Sequence, residues 1–75
     1  MNKTKIAKLV AIRSDLEALN RTLRDFLTDE EEAFDNLSEA SQEGDKGSEM
    51  QEVISTLESA SASVEEAIEQ LETIS

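Results

Sequence analysis

The sequence predicts an all-α fold: an antiparallel two-helix hairpin that pairs with a second copy into a dimeric four-helix bundle. Three observations carry the prediction. The 75 residues contain no proline and only two glycines, Gly44 and Gly47, so the stretch Gly44-Asp45-Lys46-Gly47-Ser48 is the one strong punctuation in the chain. Apolar residues recur at 3-4 spacing on both sides of it, as they do along one stripe of a helix. The charge is also divided. Residues 1–24 carry six bases (Lys3, Lys5, Lys8, Arg13, Arg21, Arg24) against Asp15 and Glu17, for +4, whereas residues 25–75 carry sixteen acids against Lys46, for −15.

A chain of this length forms a single domain, residues 1–75, and closes only a small core. Such domains draw extra stability from metals, disulfides or partner subunits. With no cysteine and no histidine in the sequence, partner subunits are the expected source.

Helix 1 is expected over about residues 3–37. Its seam reads Leu9, Ile12, Leu16, Leu19, Leu23, Phe26 and continues to Ala33 and Leu37, with one fault at Glu30. Ile6, Val10, Leu27 and Phe34 widen the stripe beyond that of a two-stranded coiled coil, which suits a bundle. Arg13, Glu17, Arg21 and Asp25 stand at successive i, i+4 positions, each pair contributing about 0.2–0.5 kcal/mol to a solvated face. Alternatively, Arg13, Arg21 and Arg24 reach acids on another helix. Thr28 and Glu31 fit a capping box that would break the helix. No glycine or proline forces the break, and Ala33-Phe34 resumes the register, so a continuous helix is expected.

The turn is expected over residues 38–48, with helix 1 ending near Leu37 or running on to Glu43. Gly44 is expected in the left-handed conformation that ends helices. Ser48 with Gln51 forms a capping box that would open helix 2, over about residues 49–74. The second seam is Met50, Val53, Leu57, Ala60, Val64, Ala67, Leu71, Ile74, flanked by Ile54 and Ile68. No base follows Lys46, and Glu58, Glu65 and Glu72 recur every seventh residue with Glu69 beside them. This acidic surface needs a cation opposite, and antiparallel pairing brings the basic half of helix 1 to it. A reversal centred near residue 46 makes opposed residue numbers sum to about 92 and sets Arg21 and Arg24 level with Glu66–Leu71. If helix 1 stops at Leu37 the sum falls to about 85, and Arg13 comes level with Glu72. Either way the start of helix 1 overhangs by roughly 10–22 Å. Pairing of two hairpins would cover that overhang and the rest of the wide stripe. The dimer or partner interface is therefore expected to draw on Ile6, Leu9, Val10, Ile12, Leu16, Leu19, Leu23, Phe26, Phe34, Leu57, Val64 and Leu71.

Asp29-Glu30-Glu31-Glu32-Ala33-Phe34-Asp35-Asn36-Leu37, then Gln42-Glu43-Gly44-Asp45-Lys46-Gly47 and Met50-Gln51-Glu52, resembles a group of short acidic proteins of bacteria and phages. Their common pattern reads D-E-E-x-x-A-[FY]-D-N-L-P-E, a short variable turn, and an acidic amphipathic helix. The resemblance covers residues 25–74, with Ser38 where relatives carry proline. It implies a helical hairpin, an end of helix 1 near Leu37 and a phage origin, and it assigns no activity.

Several function classes are disfavoured. Without histidine, acid–base chemistry would fall to carboxylates or Lys46. No serine sits in a nucleophile motif and no glycine-rich phosphate loop exists, so no catalytic residue and no cofactor are expected. The acids at residues 29–35 lack the calcium-loop spacing: counted from Asp29, the sixth residue is Phe34 and the twelfth Ala40. No metal is expected. A net charge of −11 opposes direct binding to nucleic acid or anionic membrane, and no apolar run approaches a membrane span. Lys8 and Arg13 interrupt what would be a signal peptide's apolar stretch. The expectation is a cytoplasmic, non-enzymatic protein-interaction module, dimeric, in the host cytoplasm if phage-encoded, and possessing an unidentified protein partner. A nucleic-acid mimic that blocks a host enzyme, or a purely structural assembly component, are the alternatives.

Overall fold

The computed structural model describes residues 2–74, and its regular structure is all helical: α1 (Lys3–Asp35), α2 (Glu39–Glu43) and α3 (Asp45–Glu72), with no strand among the described residues. Asn2 starts α1 as its N-cap, its Oδ1 accepting from the Lys5 N–H at 2.8 Å. This satisfies one of the donors that a helix start leaves open. The helix then runs unbroken through Thr28–Glu31, where the seam resumes at once and no residue disrupts the backbone bonds. At its end the Gln42 Nε2 donates to the carbonyls of Phe34 (3.0 Å) and Leu37 (3.4 Å). A side chain from α2 thus occupies acceptors that the terminus would otherwise expose.

The reversal departs from the sequence expectation in three ways. Its first half is itself helical: Ser38 caps α2, its Oγ accepting from the Ser41 N–H at 3.2 Å. Gly44 is not left-handed but extended, with φ −89° and ψ −170°. And α3 begins at Asp45, a turn before Ser48. The cause is visible in the hydrogen bonds. The Ser48 N–H already donates to the Gly44 carbonyl at 3.0 Å, so Ser48 lies inside the helix, while Asp45 sets a carboxylate at the positive end of the helix dipole.

The glycine that the packing requires is Gly47. It is buried, and a Cβ built there would stand 2.6 Å from the Gln42 Cα and collide with the Gln42 carbonyl. A Cβ at Gly44 would meet nothing closer than the Ala40 carbonyl oxygen at 3.4 Å. The absence of a side chain at 47 lets α2 sit directly against the first turn of α3.

Chain geometry sets the direction of α3. With 33 residues, α1 is about 50 Å long. The connection from Asp35 to Asp45 spans no more than about 36 Å even when fully extended. Mid-helix residues nevertheless meet, Asn20 and Arg24 of α1 against Ser61 and Glu65 of α3. α3 therefore runs back along α1, in a rod measuring 59 × 14 × 12 Å. The four meeting residues centre on a sum of about 85, so Glu72 comes level with Arg13, and Lys3 to Ile12 project about 15 Å beyond α3.

The residues shielded from solvent overlap the predicted seams only in part. The less exposed residues on α1 are Leu9, Arg13, Leu16, Asn20, Leu23, Leu27, Glu30 and Phe34; on α3 they are Gly47, Met50, Ile54, Leu57, Ala60, Ser61, Val64, Ala67, Ile68 and Leu71. One predicted column of each helix is kept. On α1 the other is displaced by one residue, from Ile12-Leu19-Phe26-Ala33 to Arg13-Asn20-Leu27-Phe34; on α3 Ile54, Ser61 and Ile68 join the half-buried Ala60 and Ala67, and Val53 is exposed. Among the described residues Leu27 and Leu57, at 5% and 9% exposure, are the buried apolar side chains.

Candidate functional site

The most enclosed polar side chain is Ser61, 1% exposed at the middle of the helix pair. Its hydroxyl donates to the Asn20 Oδ1 at 2.6 Å and accepts from an Arg24 guanidinium N–H at 3.4 Å. Asn20 in turn donates through Nδ2 to the Glu65 carboxylate at 3.3 Å, and Arg24 stands 3.7 Å from the same carboxylate. Every member is bonded, as a buried polar layer must be if it is not to destabilise the fold. Its physical effect is on register: a slip of either helix would leave Ser61 and Asn20 facing apolar neighbours. The predicted seams placed both residues outside the interface. The signal for them was their step of seven from Leu27 and from Ile54 and Ile68.

The Arg24–Glu65 pair also defines the sides of the molecule. Arg24 directly follows the kept column residue Leu23, and Glu65 directly follows Val64. Since these two meet, residues in that position on both helices share one side. It carries Val10, Glu17, Arg24 and Glu31 from α1 and Gln51, Glu58, Glu65 and Glu72 from α3. Arg13 contributes from the seam by pairing with Glu17 at 3.6 Å. Residues preceding the displaced columns then share the opposite side. They are Ile12, Leu19, Phe26 and Ala33 from α1, Val53, Ala60 and Ala67 from α3, and Ile74 just past its end. All eight are apolar. The large ones lie open to solvent, Leu19 at 60% and Ile12 and Phe26 at 50%. At the observed register the bulky α1 residues stand beside small α3 residues, Leu19 near Ala67 and Phe26 near Ala60.

The residues expected at an interface are thus divided. Leu16, Leu23, Phe34, Leu57, Val64 and Leu71 belong to the seam between α1 and α3. Ile12, Leu19 and Phe26 are on the open apolar side, and Val10 is exposed on the charged side. Ile6 and Leu9 continue the seam beyond the point where α3 ends. Of the acidic surface, Glu58, Glu65 and Glu72 share one column and Glu69 is exposed beside it. Among the described residues no three metal-capable side chains come together and no helix is long and apolar enough to cross a membrane. Comparison with family models, curated proteins and solved structures gives no match to this chain.

Proposed function

We propose that the chain is an antiparallel two-helix hairpin that pairs into a dimeric four-helix bundle and acts, without catalysis, as a small acidic protein-interaction module of the cytoplasm. The observation that carries this reading is the open side of the rod, two columns of four apolar positions each, uninterrupted by a polar residue, on which Ile12, Leu19, Phe26 and Val53 are exposed. A contiguous exposed apolar surface of that kind marks an association surface. The non-catalytic part rests on sequence chemistry: there is no histidine, cysteine or tyrosine, and the Ser61 hydroxyl is committed to Asn20. The resemblance at residues 25–74 supports a phage-encoded modulator of a host protein. Sedimentation equilibrium at micromolar concentration tests the association, with a dimer expected; a fully helical monomer sinks the reading.

A second reading has its own observation, the solvent-facing column Glu58, Glu65 and Glu72 with Glu69 beside it. Here the charged side imitates nucleic acid and occupies the binding site of a host enzyme. Capture of a nucleic-acid enzyme that is lost at raised salt and competed by DNA supports it. Salt-resistant capture of another protein supports the first reading, and self-association alone supports an assembly component.

A further inference from the structure

We propose that the occupant of the apolar side is a second copy, related by a two-fold axis perpendicular to the rod and passing near Leu19. The lysine-bearing start of each α1 then lies over the acidic Glu30–Asp35 end of the other. This rests on the dimeric reading above and adds its geometry.

Surface area points to an occupant of this size. The chain exposes 5511 Å², whereas a compact monomer of 8.3 kDa exposes about 4600 Å². The surplus of about 900 Å² compares with the roughly 800 Å² that each partner contributes to a standard interface. A second copy supplies that area with the same apolar side, as a two-fold contact requires.

Charge chooses the orientation. The open end of the rod carries Lys3, Lys5 and Lys8 on the α1 overhang. The turn end, residues 25–49, carries ten acids against Lys46, for −9. Two face-to-face arrangements have closed symmetry. An axis along the rod would stack lysines near lysines and bring the two −9 ends together. An axis across the rod sets each overhang against the partner's turn end, and like-charge juxtaposition is replaced by attraction. The residue spacing fits the second. About an axis at Leu19, Ile12 falls over Phe26 and Lys5 over Ala33, all in one column of α1. Lys8 falls over Glu30. In this arrangement α1 packs on α1 and α3 on α3, the latter through Ala60 and Ala67.

The chain has no cysteine, so disulfide trapping reads the geometry directly. Lys5→Cys and Ala33→Cys both alter exposed positions. Circular dichroism would check that each variant is folded and sedimentation that each is dimeric. Mixed and oxidised, they are expected to form the Lys5→Cys/Ala33→Cys hetero-disulfide, and Leu19→Cys alone is expected to link to itself. Lys5→Cys linking only to itself, or no link in a sample that sediments as a dimer, overturns the crosswise axis and leaves the dimeric reading standing. A folded monomer overturns both.

Discussion

Leu19 and Arg24 belong to adjoining turns of α1 yet look out on opposite sides of the helix pair. Around Arg24 the surface is wet and charged. Its guanidinium reaches Glu65 and the Ser61 hydroxyl, and acids repeat along α3. Around Leu19 the surface is apolar, and the large side chains Ile12, Leu19, Phe26 and Val53 are exposed to solvent beside the half-buried Ala60 and Ala67. The contrast is sharper because the more polar alternative was taken for internal packing. The inner columns hold Arg13, Asn20, Glu30 and Ser61, while the columns that flank them on this side are purely apolar. A chain that minimised its own exposed apolar area would do the reverse. The arrangement fits the proposed second copy, which would cover the outer side while the polar inner layer aligns the helices.

The largest effect is therefore expected from breaking the apolar side alone. Leu19→Glu with Phe26→Glu places two carboxylates where the second copy would sit. We expect the dimer dissociation constant to rise by about a hundredfold or more, read by sedimentation. Both side chains are half exposed or more within one chain, so helicity should persist, and the unfolding midpoint should lose its dependence on protein concentration. Collapse of helicity at all concentrations would instead mean that this side supports the fold of the single chain.

Gly47→Ala tests the frame that holds the two sides in place. The added methyl must displace the Gln42 backbone and with it the contacts that tie α2 to the end of α1. Overpacking of this kind costs about 1–3 kcal/mol, measurable by urea unfolding. Gly44→Ala is the matched control. Its backbone is extended and its Cβ meets only an ordinary contact, so the change should be neutral or stabilising by about 0.4–1 kcal/mol. Equal losses at both glycines would refute the close approach of α2 to α3.

Legibility in the sequence follows the same division. The long helices are readable because a 3-4 apolar repeat without proline admits little else. One column of each seam, Leu9-Leu16-Leu23 and Leu57-Val64-Leu71, is readable for the same reason. The second column is not, because the stripe is three residues wide. Phe26 and Leu27 are equally apolar, as are Val53 and Ile54, and periodicity alone cannot say which flank turns inward. The decision lies in the polar layer, where Asn20 and Ser61 find each other only in three dimensions. The reversal was misread for a related reason. Gly44 and Ser48 match familiar end signals, but the structure takes its cap from Ser38 and its close contact from Gly47. The demand on Gly47 comes from Gln42, whose position depends on α2 forming.

Asn20→Ala probes the layer between the sides. It leaves the Ser61 hydroxyl, 1% exposed, without its 2.6 Å acceptor. A buried hydroxyl so stranded costs about 1–3 kcal/mol. Replacing both partners, Asn20→Leu with Ser61→Ala, should recover much of that stability, because no polar group then remains unsatisfied. It should do so with broader amide resonances, since nothing then penalises a slip of register. Recovery of stability with sharp resonances would show that apolar packing alone aligns the helices.

The smallest effect is expected on the charged side. Glu65→Gln removes the carboxylate facing Arg24, but those side chains are 58% and 51% exposed and 3.7 Å apart. Solvent and salt screen such pairs, whose worth is about 0–1 kcal/mol. The amide oxygen can still accept from Asn20, so the polar layer stays bonded. The change also removes one negative charge from the repeating acid column, and the relief of repulsion with Glu58, Glu69 and Glu72 offsets part of the lost attraction. We therefore expect a change of less than about 1 kcal/mol that shrinks further in added salt, with the dimer dissociation constant unmoved. A large loss of dimer from this substitution would place the association surface on the charged side and reverse the assignment of the two.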